Sequence, residues 1–218
     1  DYHDSKTRSL AIGVHMTGLY MGQALGGFGA TLAKEYSWHQ TFYTFGFIGI
    51  AYAILLAFFL KEKRVNFVPE LNNAPRKKAG MLSGIAWLLT SFSFWIVLLY
   101  FSIPSLPGWA TKNWLPTLFS QSLHIDMAVA GPMSTITIAA SSLFGVIMGG
   151  IVSDRWVQKN INARIYTGAI GVFLMIPAII ILGFGSTTAA LILGAAFFGI
   201  GFGMFDANNM PILCQFVP

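Results

Sequence analysis

The chain has 218 residues, 55% of them hydrophobic and 10% charged, with a mean hydropathy of +0.66. A soluble domain usually carries about 25% charged residues, so this composition excludes a fold built around one aqueous core. The 13 Lys and Arg against 8 Asp and Glu sit in short segments between apolar runs. That is the positive-inside pattern of a membrane protein, not the basic groove of a nucleic-acid binder.

The single Cys214 excludes an internal disulfide, and four scattered His with no Cys pair leave no metal constellation. No hydrolytic triad and no paired carboxylates can be assembled, so no enzyme activity, metal or cofactor is expected. Residue 1 is not Met, and Pro218 follows directly on an apolar run, which suggests a segment of a longer protein. The first apolar run follows Lys6 and Arg8, as in a signal peptide, but it is too long and too glycine-rich for one.

A helix needs roughly 20 apolar residues to cross a bilayer. Six runs qualify: about 9–33, 41–60, 92–118, 128–152, 165–182 and 188–213. The first carries Gly18, Gly22 and Gly26 at four-residue spacing, a small-residue stripe against which another helix can pack. His15 and Gln23 are its polar insertions, and Lys34 and Glu35 end it. Trp38 opens the next span as an interfacial anchor. The second run is uncharged and reads as packing, up to Lys61, Lys63 and Arg64.

Residues 61–78 form the one long polar stretch, with six Lys and Arg against Glu62 and Glu70. It reads as a cytoplasmic linker, followed over about 80–90 by an interfacial segment with Trp87. The third run contains Pro104, Pro107, Gly108 and Pro116, each of which disturbs a helix. Among them lie Trp109, Lys112, Asn113 and Trp114. Broken backbone at membrane depth is tolerated where it lines a cavity. Two readings stand side by side: Lys112 faces a cavity and attracts an anion, or the Trp and Lys form an anchoring belt at the outer surface.

The fourth run ends in Gly145-Val-Ile-Met-Gly149-Gly150-Ile-Val-Ser-Asp154-Arg155. Gly145 and Gly149 lie one turn apart, so a neighbouring helix can approach closely. Gly150, Asp154 and Arg155 then form either a latch between helix ends or a turn with ordinary positive-inside charges. The fifth run, with Pro177, reads as support. The sixth holds Gly199, Gly201 and Gly203, then Phe-Asp206-Ala-Asn208-Asn209-Met-Pro211. A nucleotide-loop reading of these glycines fails because no strand precedes them. Asp206 is the only acidic residue inside any of the six runs. A carboxylate near the centre of a span costs about 2.5–3.5 kcal/mol by insertion scales. It is retained with a partner, with water or for a function; here either a coupling proton or exposed backbone around Pro211 gives it a role.

These motifs together resemble the middle of a major facilitator superfamily transporter. Arg8-Ser-Leu-Ala-Ile-Gly13 with the glycine stripe and Trp38-His-Gln-Thr-Phe42 resemble the family's fifth helix and the start of its sixth. His39 stands where the family usually has Arg. Gly150-x-x-x-Asp154-Arg155 resembles the second copy of its cytoplasmic loop motif, although Trp156-Val-Gln-Lys159 departs from the usual continuation. Trp114-Leu-Pro116 and Asp206-Ala-Asn-Asn-Met-Pro211 are similar to the anion:cation symporter group.

The resemblance implies an all-α membrane protein, helices five to ten of a twelve-helix fold. Residues 1–60 would be the last two helices of the N-terminal bundle, 61–90 the linker and interfacial helix, and 91–218 the first four helices of the C-terminal bundle. It implies alternating access around a central site lined by the third and sixth runs. Tyr100, Trp109, Lys112, Asn113, Asn208 and Asn209 are then the substrate-binding candidates and Asp206 the proton-coupling one. Gly150, Asp154 and Arg155 form the conformational gate. The implied function is uptake of an organic anion, such as a sugar acid or sialic acid, with a proton or sodium, by a monomer in a bacterial inner membrane. Two alternatives remain at this point: a carrier of the same fold for a neutral sugar, nucleoside or drug, and a non-transporting scaffold or receptor.

Charge counting sets the orientation. Segments 1–8, 61–78 and 153–164 hold eleven of the thirteen Lys and Arg, leaving Lys34 and Lys112 elsewhere. Both ends and the linker are therefore expected in the cytoplasm. In intact cells, a cysteine at Asn73 should resist an impermeant thiol reagent while one at Thr187 reacts; the reverse pattern would invert the topology.

Overall fold

The computed structural model describes residues 8–60, 85–86 and 89–216, and no strand occurs among them. The expected linker over 61–78 lies outside the described residues. The helices are α1 (Arg8–Gly26), α2 (Gly29–Glu35), α3 (Trp38–Phe59), α4 (Phe92–Leu123), α5 (Met127–Val157), α6 (Ala163–Phe184) and α7 (Thr188–Phe216). Five of them, α3 to α7, are long and apolar enough to cross a membrane by themselves.

Three elements differ from the sequence expectation. The first run is not one continuous helix but two end to end, α1 and α2, separated by a turn at Gly27 and Phe28. Glycines at 26, 27 and 29 make continuation of the helix unfavourable there. The third run, expected to be broken, is one continuous 32-residue helix through Pro104, Pro107 and Pro116. Neighbouring helices and hydroxyl groups stabilise such prolines within membranes. Finally, α5 runs on to Val157, so Asp154 and Arg155 occupy its last turns rather than a loop.

The helix ends follow local chemistry. The Asp126 carboxylate caps α5 by accepting from the Ala128 N–H, and the Ser37 hydroxyl caps α3 by accepting from Gln40 N–H. His124, with φ of 53°, closes α4 in the left-handed conformation.

Helix α5 is the centre of the assembly. It packs against α7, α6, α4, α1 and α2, while α7 also lies along α6. The face of α5 carrying Gly145 and Gly149 meets α7. A Cβ on Gly149 would stand 2.7 Å from the Met204 Cα, and one on Gly145 would overlap the Ile200 carbonyl oxygen. In return, Gly199 and Gly203 of α7 press on Ser141, Ser142 and Val146 of α5. Gly201, on the other side of α7, faces Gly171 of α6. The three glycines at 199, 201 and 203 thus serve two helix contacts at once. Beyond this seam, Leu115, Phe119, Ile138, Met175, Leu191 and Phe198 close the apolar core.

This geometry separates two kinds of glycine. Gly203→Ala forces backbone atoms apart and is expected to destabilise by about 1–3 kcal/mol or to block folding, as overpacking does. Gly150→Ala has nothing within 4 Å of its Cβ and should be neutral or slightly stabilising. Thermal melts of the two variants in detergent check the contrast.

Candidate functional site

The polar residues expected to share one site divide into three places. Lys112 of α4 and Asp206 and Asn209 of α7 come together. The Lys112 ammonium lies 3.7 Å from the centroid of the Phe202 ring, also on α7, and 5.6 Å from the Tyr20 ring of α1. The Tyr20 hydroxyl donates to Asp206 Oδ2 at 3.1 Å, and Asn209 Nδ2 donates to Asp206 Oδ1 at 3.3 Å. Asp206 also acts electrostatically on Lys112, although the two form no ion pair among the described residues.

Trp109 and Asn113 occupy the outer side of α4. Trp109 is 73% exposed, and Asn113 turns its amide back to the Trp109 carbonyl at 2.8 Å. Tyr100 and Asn208 point into the helix assembly instead. The Tyr100 ring packs on Phe205, its hydroxyl faces Gly168 of α6, and that hydroxyl has no hydrogen-bond partner. Asn208 is buried; its amide donates to the Met204 carbonyl, and its Oδ1 has no partner.

Tyr20 is the residue that sequence reasoning missed. It lies two positions from Gly18 and Gly22, in a run read only as a packing stripe. Its phenol is an ordinary interfacial group by composition; only the placement of α1 along α5 lets it reach Asp206 of α7. The stripe itself makes no close approach: a Cβ on Gly18, Gly22 or Gly26 would meet nothing within 4 Å among the described residues. The glycine that α1 and α2 use for contact is Gly27, against Gly131 of α5.

That contact belongs to a longer seam. Thr135 donates to the Ala24 carbonyl at 3.1 Å, Gly27 abuts Gly131, Thr31 donates to the Ala128 carbonyl at 2.7 Å, and Lys34 pairs with Asp126. The partners step in opposite directions along the two chains, so α1–α2 and α5 run antiparallel and are zipped at this end. The Lys34 hydrogen bond, with the Ala128 N–H, holds the Asp126 carboxyl below the usual carboxylate range. Toward the other end the side of α1 around Gly18 and Leu19 is open.

At that other end, Asp154 of α5 pairs with Arg164 of α6, Oδ1 to Nη2, at 3.5 Å. Arg155 is exposed, and Gly150 has open space beside it. Three apolar cavities, of about 450, 310 and 270 Å³, lie between α2 and α3 and between α4 and α6. Lys112 and Asp206 line none of them. Those cavities are grooves between helices without any charged group, so the polar cluster is the better candidate site.

The full chain, residues 1–218, matches the model of the Major Facilitator Superfamily. The chain belongs to that family of membrane transporters, and it is an integral, multi-pass, all-helical membrane protein rather than an enzyme. It is 27% identical over 147 residues to a protein named probable anion transporter 6, chloroplastic, of Arabidopsis thaliana, covering 62% of this chain and 28% of that protein. It is 22% identical over 149 residues to the uncharacterized transporter YybO of Bacillus subtilis, strain 168, covering 63% of this chain and 34% of that protein. The chain thus spans about a third or less of the length of these relatives. No solved structure matches it.

The Asp154–Arg164 pair is half open to solvent, with Asp154 63% exposed. Such a pair contributes about 0.2–1 kcal/mol. Asp154→Asn should therefore leave the melting temperature in detergent within a few degrees of the parent, which marks the pair as something other than a structural staple.

Proposed function

We propose that this chain is the central part of a carrier that takes up an organic anion, a sugar acid or sialic acid, together with a proton. The observation behind this reading is Lys112. A charged side chain near the centre of a span costs about 2.5–3.5 kcal/mol by insertion scales. Cation–π contact with Phe202 and Tyr20 returns about 0.5–2 kcal/mol, which leaves a deficit that an anion can offset. The anionic name of the Arabidopsis relative supports the same class of substrate.

In this reading Lys112 receives the substrate carboxylate, with Asn209 supplying a hydrogen bond. Tyr100 and Asn208 bring unpaired polar atoms to the same helices, and Trp109 and Asn113 wait on the outer side of α4 for the part of the substrate farthest from its carboxylate. Asp206 carries the coupling proton. Residues 1–60 belong to one bundle and 91–218 to the other, joined by the linker, and they rock about the site. With the Lys and Arg-rich segments in the cytoplasm, the Lys34–Asp126 seam closes the outer side and the open end of α1 faces inward. Gly150, Asp154 and Arg155 then close the cytoplasmic side in the opposite state.

One observation favours a second reading, a carrier of neutral sugars, nucleosides or drugs. The Tyr20 side chain touches both Asp206 and Lys112, so the carboxylate lies close enough to offset the ammonium in place of a substrate anion.

Uptake of radiolabelled glucuronate and sialic acid into proteoliposomes separates these readings. Lys112→Gln should lower anion binding by at least about tenfold, the scale of one charge-assisted hydrogen bond. Unchanged affinity would move the substrate elsewhere. Asp206→Asn should retain exchange across the membrane but lose accumulation on a pH gradient. Asp154→Asn should slow transport with little change in substrate affinity.

A further inference from the structure

Tyr20 joins two groups of helices at a charged residue. It is 3% exposed, while its neighbours Leu19 and Met21 are 55% and 60% exposed. Burial of a phenol hydroxyl requires a hydrogen-bond partner, and the partner found is not backbone but Asp206 of α7. The same ring flanks Lys112. On its other side Asp206 accepts from Asn209 of its own helix. Tyr20 is thus the contribution of α1 to a cluster otherwise built by α4 and α7.

We propose that Tyr20 is a positioning residue acting through Asp206, so that the charge on Asp206 controls how firmly α1 is held against α7. This rests on the reading of Asp206 as the coupling group. The physical basis is the strength of the bond. A hydroxyl donating to a carboxylate is roughly twice as strong as one donating to a neutral group. With Asp206 ionised, Tyr20 ties α1 to α7 beside Lys112. When Asp206 takes up a proton, the carboxylate becomes a neutral acid and the tie weakens. The α1–α2 segment remains zipped to α5 from Ala24 through Gly27 and Thr31 to Lys34, so release at Tyr20 frees the end of α1 that lies away from this seam. Proton uptake is thereby converted into relative movement of the two helix groups.

Other groups near α7 do not offer the same link. Among the described residues, Asp206 bonds to Tyr20 and Asn209, and Lys112 flanks the same Tyr20 ring. Helix α6 contributes Arg164, which already pairs with Asp154 of α5. Arg155 of α5 is exposed, as is His15 on α1 itself. Tyr100 of α4 turns toward Gly168 of α6.

The test needs no identified substrate. Spin labels at Gly18→Cys on α1 and Ile151→Cys on α5, in the complete transporter with Cys214→Ser, report the distance across the open end by pulsed electron paramagnetic resonance. In lipid nanodiscs the parent should shift toward longer distances at acid pH. Tyr20→Phe keeps the ring beside Lys112 and removes only the hydroxyl. It should show the longer distances already at alkaline pH, with the pH-dependent change in the open-to-closed ratio reduced by about tenfold.

Asp206→Asn should abolish the pH response, and adding Tyr20→Phe to it should leave that response absent, because both substitutions act on one bond. His15 is present in every variant and cancels from the comparison. If Tyr20→Phe fails to fold, Tyr20→Met, which removes hydroxyl and ring together, is compared within a Lys112→Gln background, where the ring has no cation to flank. A parent-like pH response in the Tyr20 variant, with loss of response in Asp206→Asn, overturns the role of Tyr20 and leaves the coupling role of Asp206 standing. A response that survives Asp206→Asn, or is missing in the parent, overturns both.

Discussion

Within a bilayer, lipid tails are as apolar as any leucine, so helices gain nothing by hiding hydrophobic side chains from one another. What holds them is close backbone contact and hydrogen bonding. In this protein the contact between α5 and α7 meets that constraint through small residues on both faces. Gly145 and Gly149 receive Ile200 and Met204, and Gly199 and Gly203 receive Ser141, Ser142 and Val146. Because α5 and α7 touch so closely, the polar residues carried on α7 are held at a defined depth. Phe202, Asp206 and Asn209 then lie along one side of that helix, where Lys112 meets them.

The polar cluster and the glycine seam are two sides of one arrangement. Asp206 is carried on the opposite side of α7 from Gly201, which faces α6, and α1 lies beside that side. A charged residue at this depth is favourable only when surrounded by donors and cations. Tyr20, Asn209 and the field of Lys112 provide that surrounding from three helices. None of the three acts alone: an amide, a phenol and an ammonium each supply part of what water would supply. A cluster that depends on two helix groups is sensitive to their separation.

The two ends of the molecule are held differently. At one end the seam from Ala24 to Lys34 combines two hydroxyl donors, a glycine-to-glycine contact and an exposed ion pair. At the other, α5 and α6 share the Asp154–Arg164 pair. Exposed ion pairs add little stability, so the end held by Asp154–Arg164 can exchange partners at small free-energy cost. The firm contacts are the α5–α6–α7 assembly and the seam of α1–α2 on α5, and the adjustable one is the Tyr20–Asp206 bond between α1 and α7.

Membrane class, helical architecture and family were legible in the sequence. Hydropathy and length determine that a segment such as 128–152 crosses a bilayer, and glycines one turn apart determine that a helix face can be approached. Asp206 and Lys112 stood out because a charge inside an apolar run is unfavourable without a partner. Which helix approaches which face is not a local property. The stripe at Gly18, Gly22 and Gly26 has the same spacing as Gly145 and Gly149, yet only the latter pair is filled among the described residues. Likewise, prolines that disturb an isolated helix sit within a continuous α4. Tyr20 illustrates the limit most directly. A tyrosine in an apolar run carries no signal of its own, because its role depends on a carboxylate 186 positions away. Side-chain pattern determined which residues needed partners; the packing of α1 along α5, from which Tyr20 reaches Asp206 and Lys112, decided who the partners are.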